Sequence, residues 1–141
     1  MRRGVQIRSV LFPDGVPVIG DAIVLQQVLL NLVNNGMDAT EHLSGPKVLT
    51  LTTATPLGSN YGTISVEDNG CGIAEEHKAK LYKPFFTTKN DGLGMGLSIS
   101  RSLIESLGGH ITLVNRAEPG TVFEEELPLI LPKGTAKATH A

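Results

Sequence analysis

The chain has 141 residues, enough for one domain around one core. A hydrophobic content of 40% excludes a disordered chain, and a net charge of −2 without a long basic run excludes a nucleic-acid-binding face. One cysteine, Cys71, rules out an internal disulfide and fits a reducing compartment, and no apolar run is long enough for direct membrane insertion.

The basic start Met1-Arg2-Arg3 is followed by polar residues and Pro13 rather than by the apolar stretch of a signal peptide. Alternation from Val5 to Phe12 predicts a strand, closed by the turn residues Pro13-Asp14-Gly15. So early a strand is what a piece of a longer protein would show. Asp21 is an N-cap for a helix over Ala22 to Thr40, whose apolar face carries Leu25, Val28, Leu29, Leu32, Val33 and Gly36. Ser44-Gly45-Pro46 stops that region. Lys47–Thr55 and Tyr61–Asp68 are β-rich and joined by Pro56-Leu57-Gly58-Ser59-Asn60, a hairpin pattern. Glu75 to Tyr82 predicts a short helix and Pro84 to Gly92 a loop. A second long helix is expected from Gly96 to Leu107, with Ile99, Leu103 and Leu107 on one side and Gly108-Gly109 ending it. Two last strands, His110–Asn115 and Thr121–Leu127, flank Glu118-Pro119-Gly120. The expected fold is a two-layer α/β sandwich: a mixed, mostly antiparallel sheet of about five strands with helices on one face. Residues 1–130 should form the domain and residues 131–141 a small, polar, frayed tail.

Three features carry chemistry. Gln27, Asn31, Asn34, Asn35 and Asp38 recur at three and four residues and share one face of the first helix. They are either a solvated face or a set of hard oxygen ligands for Mg²⁺; three asparagines within five residues favour ligands, because asparagine is a mediocre helix former. Asp68 ends a strand at Asn69-Gly70-Cys71-Gly72-Ile73. A hairpin turn is one reading, but a helix entry follows at once. An ionised carboxylate only accepts, so it can take a hydrogen bond from the amino group of adenine and not from the carbonyl of guanine. Gly70 and Gly72 would let a flat base approach the backbone. Finally, Gly92, Gly94 and Gly96 open a helix, where free N–H groups and the helix dipole attract anions. Lys89, after Phe85-Phe86-Thr87-Thr88, is either a phosphate partner or an exposed lysine.

Taken in order, these segments resemble five motifs of the ATP-binding catalytic domain of sensor histidine kinases, a family within the superfamily of gyrase, heat-shock chaperone and mismatch-repair ATPases (the Bergerat fold). Residues Gln27 to Ala39 resemble the N box, Asp68 to Ile73 the G1 box, Pro84 to Lys89 the F box, Gly92 to Leu97 the G2 box and Gly120 to Phe123 the closing Gly-Thr motif. The match covers about residues 5 to 128. It implies that Asn35 holds Mg²⁺ with Asn31 near it and near the phosphates, and that Asp38 lines the same site. It also implies that Asp68 binds the adenine amino group with support from Thr121. Gly70, Gly72 and Ile73 would line the base; Gly94, Gly96 and Leu97 would cap the phosphates with Gly92 and Lys89; and residues 73–92 would form a lid. Gly36 departs from the usual alanine, and Tyr82-Lys83 from the usual phenylalanine–acid pair.

In the hydrolytic members the residue four before the magnesium asparagine is a glutamate that activates water. Here it is Asn31, which cannot take up a proton at neutral pH. A general base contributes about 10²- to 10⁴-fold, so hydrolysis should be slow. The resemblance implies transfer of the γ-phosphoryl group to a protein histidine, leaving ADP, with Asn31, Asn35 and Lys89 as the catalytic set. None of His42, His77, His110 and His140 lies on a long amphipathic helix pair, so the acceptor is expected on dimerisation and phosphotransfer helices upstream of this chain. A response regulator receiver domain would take the phosphoryl group next, in the cytoplasm. Two alternatives stand: a nucleotide-dependent docking module without phosphotransfer, and a slow ATPase whose base is Glu67 or Asp38.

Overall fold

The computed structural model describes residues 4–13, 15–73, 75–78, 96–114 and 118–130. Among them the elements run β1 (Val5–Val10), α1 (Ala22–Ala39), β2 (Lys47–Ala54), β3 (Tyr61–Asp68), α2 (Glu75–Lys78), α3 (Gly96–Ser106), β4 (His110–Val114) and β5 (Thr121–Pro128). The sheet order is β1-β2-β3-β5-β4. β1 and β2 are parallel, joined through α1, and the other pairs are antiparallel. The expected hairpin of β2 and β3 forms, β4 pairs antiparallel with β5, and β5 inserts between β3 and β4. β1 stops two residues short of the expected Phe12, because the Phe12 N–H leaves the ladder and donates to Thr53 Oγ1 at 2.8 Å. The expected continuation of α2 to Tyr82 lies outside the described residues.

The first helix begins as its sequence dictates. Asp21 accepts hydrogen bonds from the N–H groups of Ile23 (2.9 Å) and Val24 (3.2 Å), two of the donors that a helix start leaves without a partner. Its apolar stripe lands on the sheet: Val28 and Leu32 are buried with Val66, Ile104, Ile111, Phe123 and Leu127 in one core, while Leu25, Leu29 and Val33 pack around them. Each such side chain contributes about 2 kcal/mol by leaving water. Helix α3 ends on Gly108, whose φ of 84° lets the Gly109 N–H reach Ile104 O (3.0 Å) and the Gly108 N–H reach Glu105 O (3.0 Å).

The face of α3 differs from expectation. Ile104 and Ser100 are fully buried, Leu103 and Leu107 only partly, and Ile99 is 40% exposed. The buried row is Leu97, Ser100, Ile104 and Leu107, spaced three, four and three. A serine in that row hides it from a search for apolar periodicity. Among the described residues, no helix is long and apolar enough to cross a membrane.

Candidate nucleotide site

Asp68, Gly70, Gly72, Ile73 and Thr121 lie at or beside one end of β3, and the C-terminal end of α1 packs over it. Asp68 is the last residue of β3 and is 5% exposed. Its register partners are Leu49 on β2 and Thr121 on β5, which puts Thr121 beside it on the helix-facing side of the sheet. Thr121 is buried to the same degree. The chain then turns sharply, with the Gly70 N–H donating to Asp68 Oδ1 at 2.8 Å, a bond that fixes the carboxylate plane.

Two contacts dock this turn onto α1. Gly70 is buried against the carbonyl of Ala39, the last residue of α1, so closely that any Cβ would collide with backbone. The Cys71 N–H donates to that carbonyl at 3.4 Å. One turn earlier in the helix, a Cβ on Gly36 would stand 2.7 Å from Leu49 Cδ2 and 3.6 Å from Asp68 Cβ. The missing methyl at Gly36, where the resembled family usually has alanine, therefore lets α1 lie low over the acid. The half-buried Asn31, Asn35 and Asp38 belong to this C-terminal half of α1, whereas Gln27, at the far end of the polar stripe, is exposed.

Asn69 has a role that the sequence reading missed. Its Oδ1 accepts from the Val48 N–H (2.9 Å), its Nδ2 donates to Pro46 O (2.9 Å), and its own N–H reaches Val48 O (3.3 Å). Two side-chain bonds and one backbone bond thus tie the turn to the start of β2. An asparagine just past a strand end, beside a glycine, was the signal. Ser100 was also missed: it accepts a hydrogen bond from Asn31 Nδ2 at 3.2 Å, joining α3 to α1.

Ile73 and Leu97 pack against the core from the turn and from the first turn of α3. Gly72 adopts φ 77° with its Cα facing the Gly120 carbonyl. A cleft of about 210 Å³ adjoins the turn, lined by Gly72, Ile73, Lys78, Glu118, Gly120 and Thr121 among others. Gly96 is the first described residue of α3. Lys89, Gly92 and Gly94, and with them Phe85 and Phe86, lie outside the described residues. A larger cavity, of about 280 Å³, is lined mainly by apolar groups including Leu11, Phe12, Val16, Gly62 and Leu127. It sits at the other end of β3, six residues or about 20 Å from Asp68, and has no part in the site.

Among the described residues, no three of His, Cys, Asp and Glu converge on a metal position. The donors at hand are the amides of α1. Such a set suits a hard cation that keeps waters and borrows phosphate oxygens, as Mg²⁺ does, and does not suit zinc.

Residues 20–131 match the family model described as histidine kinase-, DNA gyrase B-, and HSP90-like ATPase. Sensor protein TdiS of Thauera aromatica is 36% identical over 126 residues, 89% of this chain and 23% of that protein. Sensor protein FixL of Bradyrhizobium diazoefficiens is 36% identical over 126 residues, 89% of this chain and 25% of its own length. The chain thus spans about a quarter of these curated relatives. Among solved structures, the nucleotide-free catalytic domain of histidine kinase ThkA superposes with a TM-score of 0.77 at 36% identity, covering 91% of this chain and 81% of that one. Full-length ShkA in complex with AMPPNP gives 0.76 at 27% identity, covering 92% of this chain and 27% of that one.

Proposed function

Because the chain belongs to the family of histidine kinase-, DNA gyrase B- and HSP90-like ATPases, and within it is an ATP-binding catalytic domain of the sensor histidine kinase type, we propose that it transfers the γ-phosphoryl group of ATP to a histidine on a separate helical domain of its parent protein. The observation that carries this reading is the buried Asp68. It stands beside Thr121, is oriented by Gly70, and is overlain by the end of α1 that bears Asn31, Asn35 and Asp38.

The roles follow from the donor types. Asp68 accepts a hydrogen bond from the adenine amino group, with Thr121 beside it. Gly70, Gly72 and Ile73 form the wall along which the base slides. Asn35 holds Mg²⁺ through its amide oxygen, Asn31 assists at the metal and phosphates, and Asp38 lines the same end of α1. Bound Mg²⁺ supplies charge neutralisation on the phosphate oxygens. Gly92, Gly94, Gly96 and Leu97 cap the phosphates, with Lys89 as a further cation. Phosphoryl transfer needs little covalent help from a protein, so positioning and charge account for the rate. Burial makes these electrostatic contacts stronger than they would be in water.

Hydrolysis is disfavoured. The position that would carry a general base is Asn31, whose amide is engaged by Ser100. Glu67 pairs in register with Thr50 and Val122, on the sheet face opposite Asp68, which removes it as an alternative base. The same reading makes residues 1–130 the catalytic module, places it in the cytosol where ATP and Mg²⁺ are found, and gives it two partners: the parent's dimerisation and phosphotransfer helices, and a response regulator receiver.

The test supplies the parent's helical domain in trans with radiolabelled ATP and Mg²⁺. Acid-labile, base-stable label should appear on the helical domain and none on the 141-residue chain. Multiple turnovers of ATP hydrolysis per minute by the chain alone, with no label on the helical domain, would instead identify an ATPase.

A further inference from the structure

Ser100 has no exposed surface, lies one helical turn past the start of α3 at Gly96, and has its Oγ 3.2 Å from Asn31 Nδ2 across 69 residues of sequence. A hydroxyl adds nothing to an apolar core, and burying one without a partner costs about 1–3 kcal/mol. Here its partner is the side chain to which the nucleotide reading gives a place at the metal and phosphates.

The geometry has a consequence for Asn31. In a planar amide, Nδ2 and Oδ1 diverge from the same carbon. Anchoring the NH₂ group on Ser100 therefore turns the carbonyl away from that serine. A cation or its bound water needs the carbonyl; the NH₂ group, a donor only, would oppose it. With its NH₂ untethered, the amide could rotate about its last torsion, which is soft and roughly two-fold.

We infer that Ser100 is a positioning residue: it holds Asn31 in the orientation that offers oxygen to the metal-bound phosphates, and it ties that orientation to the helix opening at the second glycine cluster. The inference rests on the nucleotide reading of Asn31. It makes the seating of α3 a condition for metal engagement, because Ser100 moves with the first turns of that helix.

The test is a double-mutant cycle on the 141-residue chain with Ser100→Ala and Asn31→Ala. ATP affinity is measured by calorimetry with Mg²⁺ and with EDTA, and the Asn31 side-chain NH₂ resonances are followed by NMR in metal-free protein. Alanine is smaller than serine and a better helix former, so the variant folds. Ser100→Ala should weaken Mg²⁺-dependent ATP binding about tenfold, the effect of one lost positioned hydrogen bond, and leave metal-free binding within about twofold. It should also accelerate solvent exchange of the Asn31 NH₂ protons. In the Asn31→Ala background the same substitution should change nothing. If the wild-type chain binds Mg²⁺ and ATP but Ser100→Ala weakens binding equally with and without Mg²⁺, or does so undiminished without Asn31, the positioning role is overturned and the nucleotide reading stands. If the wild-type chain binds no ATP, both fall.

Discussion

Replacing Glu125 by leucine is expected to stabilise the domain by roughly 3 kcal/mol or more at pH 8 and to remove most of the loss of stability between pH 5 and 7. Glu125 sits in the middle of β5 and is 1% exposed. On the same strand face its neighbours are Phe123 and Leu127, and its cross-strand partners are Ile64 and Ile111, none of which offers a side-chain hydrogen bond. Among the described residues, neither carboxyl oxygen has a hydrogen-bond partner. Burial pushes the Glu125 carboxyl up from 4.5 to about 7.

The direction of the pH effect follows from which state holds the proton. Below about pH 4.5 both states are protonated. Between 4.5 and 7 the unfolded chain releases its proton while the native one keeps it, so stability falls by about 1.4 kcal/mol per pH unit. Above about 7 the native carboxylate is ionised as well, and the loss levels off at roughly 3 kcal/mol. Leucine removes this loss and adds apolar burial. Glu125→Gln should flatten the pH dependence too, but its amide remains without a partner, so it should stay less stable than the leucine variant. Urea midpoints at pH 5 and pH 8 for the three proteins check this. Equal pH dependence in wild type and Glu125→Leu would show that the stability loss comes from other groups.

Asp68→Asn is expected to lower ADP affinity by about 10²-fold, near 3 kcal/mol, while leaving the fold intact. The hydrogen bond from Gly70 makes this a sharp prediction. Asparagine can keep it only by giving its Oδ1 to the Gly70 N–H, now at 2.8 Å from the carboxylate. Its NH₂ group then occupies the position of the second carboxylate oxygen and meets the adenine amino group donor to donor. The substitution is nearly isosteric at a 5% exposed site, so repacking is not needed. Calorimetry with ADP, together with a thermal melt to verify folding, checks it. Unchanged ADP affinity would remove Asp68 from the base pocket.

Much of this architecture is written in local patterns. Asp21 before an apolar stripe announced α1 and its cap, the glycine pair at 108 and 109 announced the end of α3, and the turn residues between Thr55 and Tyr61 announced the hairpin of β2 and β3. These signals are legible because each depends on neighbours within one or two turns. What stayed hidden depends on packing between distant segments. Ser100 belongs to the buried row of α3 but is polar, so a search for apolar spacing settled on the row through Ile99, which is 40% exposed. Glu125 occupies an inward position of an alternating strand, yet Glu124-Glu125-Glu126 has the composition of a solvated edge. Counting by twos from Phe123 and Leu127 would have placed it inside. The order of β5 between β3 and β4, which brings Thr121 beside Asp68, has no local signature at all. At the site, glycines and polar residues gave the chemistry, whereas the reason for Gly36 and Gly70 appeared only with the helix seated on the turn.

The proposed chemistry depends on an adenine-selective pocket between the Asp68 turn and the asparagine face of α1. Its most direct measurement is a ¹H–¹⁵N titration of the folded chain with ATP and with GTP, each at millimolar concentration with Mg²⁺. ATP should shift the backbone signals of Asp68, Gly70, Ile73 and Thr121 and the side-chain amide of Asn35, and GTP should leave them nearly unmoved. No shifts with ATP, or equal shifts with GTP, would contradict it.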